Sequence, residues 1–125
     1  DDEIEFGMGA HGEQGAERIK MTTADTLVPI MMDKLLADDL ELNAGDEIVL
    51  LINSLGVTTM TELLIVNKEA KKILRGKGIV VHDTIVGHKL TCQEMAGFSI
   101  TLTKLDAELK QYWDMPCESI AYSKM

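Results

Sequence analysis

Glu47-Ile48-Val49-Leu50-Leu51-Ile52 is a continuous apolar run behind one charged residue, and it decides the fold class. A strand with one wet face alternates apolar and polar residues, whereas an unbroken run reads as a strand buried on both faces, in the middle of an α/β sheet. Asn43-Ala44-Gly45-Asp46 ahead of it is a turn, and Asn53-Ser54-Leu55-Gly56-Val57-Thr58 behind it joins strand to helix. The helix is expected from about Thr59 to Arg75, with Met60, Leu63, Leu64, Ala70, Ile73 and Leu74 inward and Gly76 and Gly78 ending it.

Farther out, Ile79 to Val86 reads as a strand, Gly87 to Gly97 as irregular and Phe98 to Leu105 as a strand. Asp106 to Trp113 reads as a short helix closed off by Pro116. Upstream, Leu27/Val28, Met31/Met32 and Leu35/Leu36 recur every four residues, one apolar helix face from Thr23 to about Asp38, with Thr22 or Thr23 as N-cap. Pro29 lies inside that pattern and should kink its first turns. Asp2 to Met8 alternates as a strand and runs into a Gly-rich loop. Together these predict an α/β fold: a mixed, roughly four-stranded sheet packed with helices.

The chain has 125 residues, enough for one domain with a core of its own, so residues 1–125 are read as a single domain. Lys plus Arg is 12 against Asp plus Glu 21, a formal net charge of -9, which argues against direct nucleic-acid binding. The one basic cluster, Lys68, Lys71, Lys72, Arg75 and Lys77, reads as a solvated helix end favoured by the helix dipole. No apolar run approaches the roughly 20 residues of a membrane helix, so no membrane partner is expected. Cys92 and Cys117 lack a C-x-x-C spacing and read as reduced thiols, which suggests a cytoplasmic protein. The start at Asp1, directly on strand-like sequence, suggests an excised piece.

His11 is the best candidate for chemistry. It sits in Gly7-Met8-Gly9-Ala10-His11-Gly12-Glu13, where flanking glycines allow close approach to an imidazole able to act as base, metal ligand or nucleophile. A hydrogen-bonding role is the plain alternative. The glycines are not a dinucleotide fingerprint, because no helix opens at Gly12 and no acidic residue is placed for a ribose. His82 and His88 show no metal-ligand spacing, and no metal site is expected. Ser54 to Thr58 offers backbone N–H groups to an anion or, more simply, an N-cap at Thr58. The eight methionines, Met31, Met32 and Met60 among them, read as core filling.

Four segments carry a resemblance: Glu5-Phe6-Gly7-Met8-Gly9-Ala10-His11-Gly12-Glu13-Gln14-Gly15; Gly45-Asp46-Glu47 leading into Asn53-Ser54-Leu55-Gly56-Val57-Thr58; Glu62-Leu63; and Thr91-Cys92-Gln93-Glu94-Met95-Ala96-Gly97-Phe98-Ser99-Ile100-Thr101-Leu102. In order and spacing they resemble the dihydroxyacetone kinase family, specifically the C-terminal part of its dihydroxyacetone-binding K subunit. The resemblance covers nearly the whole chain. Gln14 stands where the family often has Pro, Cys92 where Ser is common and Gln93 where an apolar residue is common.

The resemblance implies that His11 and Gly12 bind substrate, with His11 holding dihydroxyacetone covalently as a hemiaminal for phosphorylation. It implies a homodimer with a second K subunit and a separate nucleotide-binding L subunit or domain carrying ATP or ADP with Mg2+, so that this chain holds no cofactor. The family's N-terminal domain, with its acid/base residues, is absent from these 125 residues. The alternative it implies is a non-catalytic ketose sensor that serves as co-activator of a transcription regulator.

Overall fold

A computed structural model of the chain describes residues 2–9, 13–38 and 40–125. Its elements are β1 (Glu3–Phe6), β2 (Glu17–Lys20), α1 (Ala24–Ala37), β3 (Glu47–Ser54), α2 (Met60–Gly76), β4 (Val80–Gly87), β5 (Phe98–Leu105), α3 (Ala107–Asp114), β6 (Cys117–Glu118) and β7 (Ser123–Lys124).

The apolar run forms β3, the middle strand of a three-stranded sheet of order β4-β3-β5. β4 runs parallel to it across the α2 crossover, and β5 runs antiparallel. Alternate side chains Ile48, Leu50 and Ile52 enter a core with Val28 and Met32 of α1 and Leu63, Val66, Ala70 and Leu74 of α2. Each of these side chains other than Ala70 stabilises the fold by about 1.5–3 kcal/mol through removal of apolar surface from water. The other face of β3 carries Val49, also buried, and there α3 and the short β6–β7 ribbon are tied to the sheet. Trp113 Nε1 donates to Asp83 Oδ2 at 2.7 Å, and Lys124 Nζ donates to the Trp113 carbonyl at 2.6 Å.

The mixed α/β class is as the sequence predicts, with a different arrangement of its first strand. β1 stays out of the main sheet and pairs with β2 in an antiparallel hairpin, Glu3 opposite Lys20 and Glu5 opposite Arg18. β2, Glu17-Arg18-Ile19-Lys20, has one apolar residue and no readable periodicity; its main-chain pairing with β1 places it, with opposite charges facing each other across the ladder. The hairpin rests on α1 through Lys34, whose Nζ lies 2.6 Å from Glu17 Oε2 and 5.8 Å from the Phe6 ring centre.

α1 begins after Thr23, as expected, and runs through Pro29, where the missing N–H leaves the Asp25 carbonyl without its usual helical donor. α2 departs from the expected face. Val66 is buried, whereas Met60 and Leu64 are about half exposed. Core filling holds for Met32 and, in part, Met31; Met8, Met21, Met60, Met115 and Met125 are exposed.

Candidate functional site

The ladder of the β1–β2 hairpin ends at Phe6 opposite Glu17, and residues 7–16 form its long connection. Ala16 N donates to Phe6 O at 2.7 Å, and Gly9 N donates to Glu13 O at 3.1 Å. Between these two closures, Gly15 N donates to Glu5 Oε1 at 2.8 Å, and Glu5 Oε2 lies 3.3 Å from Arg18 Nη2. Gly7, at φ +73°, makes the turn out of β1 in a conformation that favours glycine. His11 and Gly12, the residues the sequence singles out, lie outside the described residues. What is described is the frame on either side of them.

A second polar construction closes the C-terminal end of β3. Asn53 is buried, and its side chain is fully engaged: Oδ1 accepts from Lys89 N at 2.8 Å and Leu90 N at 2.9 Å, and Nδ2 donates to Leu90 O at 2.8 Å. Leu55 N donates to Gly97 O, Val57 N to Met95 O and Cys92 N to Leu55 O. Gly56, at φ +144°, could not carry a Cβ, which would stand 2.6 Å from Cys92 O. Two of the motif segments that lie far apart in sequence, 53–58 and 91–102, are thus one interlocked unit.

That interlock settles how Ser54 to Thr58 are used. The N-cap of α2 is Thr59, not Thr58: Thr59 Oγ1 accepts from Glu62 N and the Glu62 carboxylate accepts from Thr59 N, a complete capping box. The Thr59 N–H first and then the Thr59 hydroxyl donate to the Glu62 carboxylate and hold its pKa below the ordinary value. Thr58 instead bonds Gly97, and the N–H groups of Leu55, Gly56 and Val57 are taken by Gly97 O, Ser54 Oγ and Met95 O. An anion at this turn finds its donors already engaged.

His82 is the extra residue of a bulge in β4, since Ile48 pairs Val81 and Val49 pairs Asp83. Its Nε2 is 2.7 Å from Asp114 Oδ1 and its Nδ1 3.8 Å from Glu47 Oε2, a tie between sheet and α3. Asp83 beside it sits below the ordinary carboxylate range, chiefly because of the Trp113 hydrogen bond. His88 is exposed just past β4. Among the described residues no three of His, Cys, Asp and Glu gather as a metal site. Lys68, Lys72, Arg75 and Lys77 are exposed on and just past α2, with Lys71 half-buried, and Cys92 and Cys117 are free thiols. No described helix is long and apolar enough to cross a membrane.

Sequence reasoning passed over Glu5, Asn53 and Asp83. Asn53 carried a signal, as the polar residue that ends an otherwise apolar strand. Glu5 and Asp83 act through partners distant in sequence and carried none.

Comparison with known proteins adds an independent line. Residues 1–121 match the Dak1 domain. The chain is 40% identical over 117 residues to the dihydroxyacetone-binding subunit DhaK of the PTS-dependent dihydroxyacetone kinase 2 of Listeria innocua, covering 94% of this chain and 35% of that protein. Among solved structures, the dihydroxyacetone kinase operon co-activator Dha-DhaQ superposes with a TM-score of 0.83 at 31% identity, over 92% of this chain and 36% of that one. The dihydroxyacetone kinase of C. freundii in complex with AMP-PNP and Mg2+ superposes with a TM-score of 0.73 at 28% identity, over 91% of this chain and 20% of that one. The chain thus spans about a third or less of the length of each of these relatives.

Proposed function

This chain belongs to the Dak1 domain family, and from that premise we propose that it is the ketose-holding segment of a cytoplasmic dihydroxyacetone kinase, the C-terminal part of a K subunit. His11 is its covalent anchor, and Gly12, next to it in sequence, is assigned to substrate binding with it. The observation that carries the reading is the match over residues 1–121 together with His11 standing in the Gly9-Ala10-His11-Gly12-Glu13 motif.

The chemistry balances without a co-reactant. The lone pair of a neutral imidazole nitrogen adds to the ketone carbon, the carbonyl π pair moves to oxygen, and the proton of the other ring nitrogen is passed to that oxygen. The hemiaminal keeps every atom of the ketose. Glycerol has the same terminal hydroxyls and no electrophilic carbon, so the step selects the ketose and fixes its hydroxyl for phosphoryl transfer. ATP or ADP with Mg2+ is assigned to a nucleotide-binding L subunit or domain, and a second K subunit to a homodimer. The steps assigned to this chain use neither nucleotide nor metal.

Incubation of the full-length protein with dihydroxyacetone should add the mass of one intact ketose per chain, with no water lost, while glycerol adds nothing. His11→Ala should abolish the adduct, and His82→Ala and His88→Ala should leave it. An adduct that survives His11→Ala would overturn the assignment.

The likeness to the co-activator favours a second reading, a ketose sensor that binds without catalysis. The two part on one measurement: with the nucleotide-binding subunit, ATP and Mg2+ supplied, the kinase turns dihydroxyacetone over and the sensor carries the adduct without turnover.

A further inference from the structure

We propose that Glu5 is the positioning residue for the ketose anchor, a role that rests on the reading of His11 given above. Glu5 lies one residue before the end of β1, and its carboxylate is used twice. Oε1 takes the Gly15 N–H at 2.8 Å and Oε2 faces the Arg18 guanidinium at 3.3 Å. The Arg18 side chain is 65% exposed, and a pair so open to solvent contributes little to hairpin stability. The bond to Gly15 is of another kind. It is a charge-assisted hydrogen bond from a main-chain N–H on the returning limb of the very loop that contains His11.

The returning limb is therefore fixed at three levels: Ala16 to the Phe6 carbonyl, Gly15 to the Glu5 carboxylate, and Glu13 to Gly9. The middle level is made by a side chain, so a substitution can remove it without touching the backbone ladder. Gly15 is matched to it. A Cβ there would collide with Glu5 Cγ and stand 2.6 Å from Phe6 O, so the carboxylate and Gly15 approach as closely as they do because Gly15 has no side chain. Addition of a ring nitrogen to a carbonyl carbon depends steeply on approach distance and angle, and a displacement of about 1 Å lowers it by about a hundredfold. Loss of the Glu5 bond should accordingly appear in ketose capture more than in folding.

The test measures adduct per chain against dihydroxyacetone concentration, by mass spectrometry on the full-length protein, with thermal unfolding in parallel. Glu5→Ala should raise the half-saturating ketose concentration about tenfold or more while unfolding scarcely shifts. Glu5→Gln keeps an oxygen for the Gly15 N–H and should stay within about threefold of the unsubstituted protein. Gly15→Ala, whose Cβ would meet both the Glu5 side chain and the Phe6 carbonyl, should impair capture at least as much and lower the unfolding temperature as well. Half-saturation unchanged in Glu5→Ala, or Glu5→Gln as impaired as Glu5→Ala, would overturn the role while leaving His11 as anchor. An unsubstituted protein with no adduct, or with one that survives His11→Ala, would overturn the anchor and the role together.

Discussion

Thr58 and Gly97, 39 positions apart, are bonded to each other twice: Thr58 Oγ1 donates to the Gly97 carbonyl at 2.7 Å and accepts from the Gly97 N–H at 3.1 Å. One hydroxyl thereby satisfies both backbone groups of a residue in an irregular segment, where neither helix nor strand is present to do so. Asn53 does the same for Leu90 and takes the Lys89 N–H as well. The loop over the C-terminal ends of β3 and β4 is held by Asn53 near the end of β3 and Thr58 in the turn that follows, together with the backbone bonds from Leu55, Val57 and Cys92.

Asn53→Leu should therefore destabilise the protein by roughly 1–2 kcal/mol, because part-buried main-chain groups of Lys89 and Leu90 lose partners that an alkyl group cannot replace. Denaturant unfolding measures the loss, and amide exchange should locate it at Lys89 and Leu90. Exchange at those two amides as slow as in the unsubstituted protein would show that the loop does not depend on Asn53.

Thr59→Ala should cost about 1 kcal/mol, the ordinary loss of a threonine N-cap, and should fray the first turn of α2. Thr58→Ala should leave that turn intact and speed amide exchange at Gly97 instead. Equal fraying in both variants would contradict the assignment of the cap to Thr59.

Asp83 supplies a pH dependence with a definite sign. Its folded-state pKa lies below the ordinary aspartate value of about 3.9, first because Trp113 donates to it and then because of Thr84 and Lys124. A lowered carboxylate pKa contributes stability that is present above the unfolded value and lost as pH falls through the folded one. Trp113 is the sole tryptophan, so its emission reports the contact directly. Emission should hold steady down to about pH 4 and change below it, while Asp83→Asn should show no such acid step. A step that persists in Asp83→Asn would assign it to another group.

The legible and illegible parts divide by range. β3 showed in the sequence because its burial on both faces removes polar residues from a single short window, and α1 because its apolar pairs recur at helical spacing. β2 did not, because Glu17-Arg18-Ile19-Lys20 is placed by its main-chain pairing with β1 and has no local pattern. Met60 and Leu64 fit the helical period yet point outward, since Val66 shifts the buried face of α2 around the helix. At the proposed site, the motif around His11 is what singles it out in the sequence. Glu5 was not legible, because its importance lies in reaching Gly15, a relation that exists only once the hairpin has closed.

The last expectation concerns what the 125 residues do alone. Phosphoryl transfer needs a nucleotide and Mg2+ held in line with the accepting hydroxyl, and positioning supplies most of its catalysis. The reading proposed above gives this chain the ketose and gives nucleotide and metal to another subunit or domain. Purified alone and mixed with ATP, Mg2+ and dihydroxyacetone, the chain should therefore form no sugar phosphate above a protein-free control, by a coupled assay or by phosphorus NMR. The full-length K subunit with its nucleotide-binding partner should restore turnover, and His11→Ala in that mixture should remove most of it. Turnover by the isolated chain would show that it binds nucleotide itself, and the division of labour between subunits would have to be redrawn.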